Sequence, residues 1–240
     1  MTNDYDWFTK NKKTTSPIPL YLLTYYIFYN QKLKADLTMQ TRAFDKNNSD
    51  FVAMRKWLRF SLLNGVFTNG CGWRPAQKGL RLLHQTIKDS KGKNFPIEDL
   101  FDVCKQNLHS FKVRLDNNRK TYLDEFQLGR EYVFYIMYDY KILSRYEEDH
   151  IIAKRLLDVL KKNLDEKQIN SIANLELLTP SENKSKADMK LDDWIRQQSD
   201  DYVRLHLIPN DNSLWKPGSF INFLEARTKL ILEKIIKSLE

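Results

Sequence analysis

Asp149 and His150 stand side by side in the segment Glu148-Asp149-His150-Ile151-Ile152. Two carboxamides follow, Asn174 at 24 residues beyond the histidine (174 − 150) and Asn183 at 9 beyond that (183 − 174). Hydrolysis of a phosphodiester near neutral pH needs a base for the attacking water, a cation for the charge developing on oxygen, and a frame that fixes both. Imidazole titrates closest to neutrality, so His150 can supply the base. Asp149 and Asn183 offer the hard oxygens that magnesium prefers, the other coordination positions falling to water and phosphate. Neighbours on a strand point to opposite faces, so joint action of Asp149 and His150 requires the strand to end or bend there.

Positioning these residues takes two short strands and a helix. The β-branched residues after Asp149-His150 predict one strand at 148–152, and 172–178 reads as a second, closed by Thr179-Pro180. Helix is predicted over 153–163 between them. Another starts at Ser181, taken as N-cap, although Lys184 occupies the position where a capping box prefers Glu. Upstream, apolar residues recur at helical spacing over 20–29, 51–63 (with Asp50 as N-cap), 79–87, 97–108 and 122–138. Downstream, helices are predicted at 191–198 and 220–239, the latter with an apolar stripe of Phe223, Leu224, Ala226, Leu230, Ile231, Ile235 and Ile236. His206-Leu207-Ile208-Pro209 reads as a connector.

Charge is unevenly spread along the chain. Of 39 Lys and Arg and 31 Asp and Glu, residues 1–148 hold 24 basic and 16 acidic side chains, which is the whole excess of +8. A basic region of this kind attracts polyanions through counterion release, without reading their sequence. Arg74, Lys78, Arg81, Lys88, Lys91 and Lys93 surround one helix and its loop. They suit a phosphate-tracking groove and an ordinary solvated face equally well. Two lone cysteines, Cys71 and Cys104, exclude a cysteine-type zinc site and provide no disulfide framework, which points to a reducing cytoplasm. The apolar run 18–29 is too short to cross a bilayer and is read as a buried helix.

Asp149-His150, Asn174 within Asn-Leu-Glu-Leu-Leu, and Asn183-Lys184-Ser185-Lys186 together resemble the HNH nuclease family, in which a β-hairpin and a helix wrap one metal. The match is to the variant with Asn in the last block. Ile172-Ala173-Asn174-Leu175, Glu182 to Lys186, Trp194, His206-Leu207-Ile208-Pro209 and Phe223-Leu224-Glu225-Ala226-Arg227 narrow the resemblance. They are similar to bacterial proteins that join an N-terminal ParB-like domain to a C-terminal HNH domain, among them modification-dependent restriction enzymes. The resemblance implies His150 as general base, Asp149 and Asn183 as ligands of Mg2+ (or Mn2+), Asn174 as the brace of the loop carrying the base, and Lys186 beside a phosphate. Two departures stand out: Ala153 replaces a common proline, and the ParB-like domain is absent, as from the C-terminal part of such a protein.

The expectation is therefore a mainly α protein with a small embedded ββα-metal motif at 146–190. A basic helical region at 1–145 would position DNA, and a helical tail at 191–240 would pack on the motif. Its predicted activity is DNA endonuclease in defence against foreign or modified DNA. The alternatives are a non-catalytic DNA- or protein-binding module, and a fragment active only with its missing domain. His84 and His109 have no ligand-spaced partner and are assigned to packing or surface, and His206 to a structural turn. The aromatic run after Arg130 (Tyr132, Phe134, Tyr135, Tyr138, Tyr140) is expected in a core before a base-stacking platform.

Overall fold

The computed structural model describes residues 18–30, 48–67, 76–91, 93–108, 130–139, 146–158 and 164–239. Two compact units divide the chain, Met1–Arg114 and Leu115–Glu240.

Four helices are described in the first unit: α1 (Ile18–Asn30), α2 (Ser49–Leu63), α3 (Ala76–Asp89) and α4 (Ile97–Asn107). Leu22, Leu23 and Tyr26 of α1, Met54, Trp57 and Leu58 of α2, Leu83 and Ile87 of α3, and Leu100, Phe101 and Cys104 of α4 are buried. Each fully buried aliphatic or aromatic side chain contributes roughly 1.5–3 kcal/mol, enough to hold helices that would be marginal alone. Asn48, not Asp50, caps α2, its side chain accepting from the backbone of Asp50 and Phe51. A tertiary role claims Asp50 instead: Oδ2 accepts from the Tyr26 hydroxyl at 2.9 Å and Oδ1 from the Phe95 amide at 2.8 Å. One carboxylate thereby ties α1 and α2 to the approach to α4. Cys71, Arg74 and His109 lie outside the described residues.

Within the second unit, α5 (Arg130–Met137) precedes β1 (Glu147–His150), α6 (Lys154–Leu157) and α7 (Glu166–Ile169). A 3-10 turn at Ile172–Asn174 leads into β2 (Leu175–Leu178), then α8 (Pro180–Lys186), α9 (Leu191–Ile195), α10 (Asp200–Leu205), 3-10 turns at Asn212–Trp215 and Pro217–Ser219, and α11 (Phe220–Leu239). Every residue from Tyr132 to Met137 is buried, so the aromatic run is core and offers no stacking platform. Its predicted beginning at 122–129, and Tyr140, are outside the described residues.

β1 is acidic and intrinsically poor as a strand. It forms because β2, buried along its whole length, pairs with it antiparallel, Glu147 opposite Leu178 and His150 opposite Leu175. Several expected boundaries shift. The residues 172–174 turn as 3-10 before the strand, and the helix expected over 153–163 is α6 alone as far as it is described. Thr179, not Ser181, caps α8: its hydroxyl accepts from the Glu182 amide while the Glu182 carboxylate accepts from the Thr179 amide, with Pro180 in the first turn. α10 was not expected at all. Among the described residues no helix is long and apolar enough to cross a membrane.

Candidate active site

In β1, Asp149 faces Glu176 across the ladder, so Glu147, Asp149 and Glu176 share one face of the sheet and His150 takes the other. α8 lies over the acidic face. Asn183 Nδ2 donates to Glu147 Oε2 at 2.8 Å. One turn later the Lys186 ammonium donates to Asp149 Oδ2 and to the His150 carbonyl, with Glu176 Oε1 at 3.2 Å. On the opposite face, His150 Nε2 stands 3.0 Å from Asn170 Oδ1. β1 stays paired through His150, so the bend that would turn imidazole and carboxylate the same way is not made within the strand.

The chain turns directly after His150, and Asn174 holds that turn. Its Oδ1 accepts from the Ile152 amide at 3.0 Å, and Nδ2 donates to the carbonyls of Ile152 and Ile169 at 3.3 and 2.9 Å. Its own carbonyl accepts from the Ile151 amide at 2.8 Å. A fully buried carboxamide with its groups matched to backbone partners is a rigid clamp. Lys186 requires a correction. The expectation set it beside a phosphate, whereas its ammonium is buried and occupied by two carboxylates. No solvent-facing role remains for it in this arrangement.

Beneath the sheet runs a buried polar network that the sequence did not lead us to expect. Burial pushes the Glu176 carboxyl up, but the hydrogen bond from His206, the Lys186 charge and the Tyr202 hydroxyl outweigh it and hold the group at about 2. Protonated at Nδ1, His206 donates to Glu176 Oε2 at 2.9 Å, and the Tyr202 hydroxyl donates to the same oxygen at 2.6 Å. Burial, then the Glu176 charge, pushes Tyr202 and Tyr138 upward, so both keep their hydroxyl protons. Tyr138 in turn accepts from the Leu177 amide at 2.9 Å. Arg227, buried in α11, donates to the carbonyls of Ile172, Leu175 and His206 at 2.8–3.1 Å. Burial lowers it to about 10, which leaves it charged at neutral pH.

Signals for this network existed in the sequence. Glu176 interrupts Leu175, Leu177 and Leu178, and Arg227 falls in phase with Phe223, Leu224 and Ile231 on the buried stripe of α11. A charge on an apolar face implies a buried partner. His206 is buried and stacks on Tyr202 at 4.0 Å, while His84 packs against Tyr25 at 4.3 Å.

Among the described residues no group of three or more His, Cys, Asp or Glu side chains could hold a metal ion. Asp149 and Asn183 carry oxygen donors of the type a hard cation takes. The Asp149 side chain stays 21% exposed with one oxygen committed to Lys186, and Asn183, its Nδ2 tied to Glu147, keeps its carbonyl oxygen as donor. Affinity from the protein alone is weak on this count, because Lys186 already neutralises Asp149. The chain matches no protein-family model, and no curated protein matches it in sequence.

Proposed function

We propose that the second unit is a ββα-metal endonuclease of HNH type acting on DNA, in defence against foreign or modified DNA. One observation carries the reading: the Asn174 clamp fixes the turn behind His150 between the strand that bears Asp149 and the strand leading to α8 with Asn183. The 3-10 turn before β2 supplies the frame, β1 the base and Asp149, and α8 Asn183, with His150 and Asp149 on opposite faces of the sheet. Asp149 and Asn183 would hold Mg2+, with Mn2+ as substitute; when bound, the ion supplies charge stabilisation at the phosphate oxygens. In the tautomer that donates from Nε2 to Asn170, the His150 lone pair lies on Nδ1, the atom that would accept the proton of the attacking water. Asn174 holds that imidazole in place through the backbone. Lys186 anchors Asp149 and the His150 carbonyl at the strand end, a positioning role.

Plasmid nicking with magnesium, manganese or EDTA tests this, comparing the wild type with His150→Ala and Asn183→Ala. Cutting by wild type that His150→Ala reduces by about a hundredfold or more, as loss of a general base entails, and that Asn183→Ala also lowers, supports the site. Equal cutting by the variants removes it. A second reading, a DNA-binding scaffold without catalysis, is favoured by the Lys186–Asp149 ion pair, which puts a protein cation on the ligand. DNA bound with salt-dependent affinity but never cut with either metal establishes that reading instead.

A further inference from the structure

We infer that α1 and α3 of the first unit form a binding surface for an unpaired nucleic-acid strand, its bases on the rings of α1 and its phosphates on the cations of α3.

At about 100° per residue, Tyr21, Tyr25, Phe28 and Tyr29 fall within roughly 100° of the α1 circumference. Leu22, Leu23, Tyr26 and Ile27 take the opposite, buried side. Tyr21 and Phe28 are 66% and 61% exposed, an unusual placement for rings that large. The stripe is already ordered as a stack: Tyr25 and Tyr29 lie 5.2 Å apart with ring planes 17° from parallel. Lys91, just beyond α3, stands over the Tyr29 ring at 5.2 Å.

α3 supplies the other half. Its Lys78, Arg81 and Lys88 are exposed and lie within roughly 80° of one another around the helix. Leu83 and Ile87 point to the core, and His84 falls between the core side and the cations. Because His84 meets Tyr25 at 4.3 Å, the cationic stripe borders the aromatic one. α1 has no charged residue at all, and the single acid of α3, Asp89, accepts a hydrogen bond from Gln85 at 2.7 Å. The surface is therefore aromatic and net positive, the three α3 cations outnumbering the one exposed carboxylate beside them, Asp89. Both marks belong to single-strand binding, in which a cationic track follows the backbone and each base stacks whatever its identity. A paired duplex hides its base faces, and a protein partner would have to supply acidic groups opposite α3.

The inference rests on the proposed nucleic-acid substrate only for the class of ligand, and binding measured in EDTA separates it from cleavage. Fluorescence anisotropy of the full chain would use a labelled single strand, the duplex of the same sequence, and an abasic strand of equal length. Wild type is expected to bind the single strand about tenfold tighter than either other probe. Tyr21→Ala/Phe28→Ala should erase that preference, and Tyr21→Leu/Phe28→Leu, which retains apolar surface without rings, should do the same. Lys78→Glu/Arg81→Glu/Lys88→Glu should weaken all three probes. Circular dichroism melting of each variant confirms folding, and the leucine pair decides should the alanine pair melt early. Unchanged single-strand preference in the leucine variant overturns the inference. So does self-association in light scattering that the ring substitutions abolish while nucleic-acid binding persists, which would assign the surface to a second copy of the chain.

Discussion

Glu176 keeps a negative charge at zero exposure, and its neighbours explain how. Lys186, His206 and Tyr202 surround it, each supplying positive charge or a donated proton, so ionised Glu176 is stabilised by folding. Its folded value of about 2 lies below the ordinary 4.5, so that stability is present above about pH 4.5 and is lost as pH falls toward 2. The amount is on the order of 3 kcal/mol. Urea unfolding midpoints of the wild type are expected to fall steeply between pH 4.5 and 2, and those of Glu176→Gln to start lower and change less. Parallel curves would mean that another group governs the acid limb. Lys186→Met tests the same cluster from its cation. It leaves Asp149 and Glu176 facing each other across the ladder with no ammonium between them, at a cost of about 3–5 kcal/mol. The Lys186→Met/Glu176→Gln double variant should recover part of that loss, because the two side chains act on one pair of charges.

α8 and α11 hold the candidate site by different devices, and each makes its own prediction. Thr179→Ala breaks the reciprocal cap of α8 and should lower stability by about 1 kcal/mol in denaturant melts. Arg227 works as a fork: four donated bonds reach three carbonyls, from the turn before β2, from β2 itself and from the end of α10. Arg227→Lys restores the charge but cannot span those acceptors, so it should be almost as destabilising as Arg227→Met, both by about 3–5 kcal/mol in the same melts. Full rescue by lysine would show that charge, not the fork, matters at this position. How far the sequence revealed these elements follows from the forces that made them. The 3.6-residue stripe of α11, except for Ile236, which is exposed, and the stop at Thr179-Pro180 are local and strong, and both are legible. Asp50 reads as a cap because its real partners, Tyr26 and Phe95, are remote in sequence. α10 escapes notice because its six residues bury only Tyr202, too little for a period to register. At the site itself the residue types and their order can be read, whereas the inward turn of Lys186 cannot. That turn depends on Glu176 lying opposite Asp149 in a register fixed only by pairing.

The two units differ sharply in charge. Met1–Arg114 contains 19 Lys and Arg against 9 Asp and Glu, leaving 20 against 22 for Leu115–Glu240. On the proposed reading, attraction for a polyanion would reside in the first unit and the chemistry in the second, an arrangement that separates capture from cleavage. Counterion release gives the separation a measurable form, because each phosphate left without its protein cation makes the slope of log affinity against log salt shallower by about 0.7 for a single strand. Lys78→Glu/Arg81→Glu/Lys88→Glu should thus reduce the slope by about 2. Arg196→Ala/Arg204→Ala removes two exposed cations of the second unit that are already paired with Asp192 and Asp201, and should leave it unchanged. If the nuclease reading holds, the first set of substitutions also lowers kcat/KM and spares kcat at saturating DNA, since none of those side chains belongs to the proposed catalytic group. A loss of kcat on substituting the α3 cations would place them in the chemistry and end the division of labour; an equal change of salt slope from both sets would show that capture is spread over the whole chain.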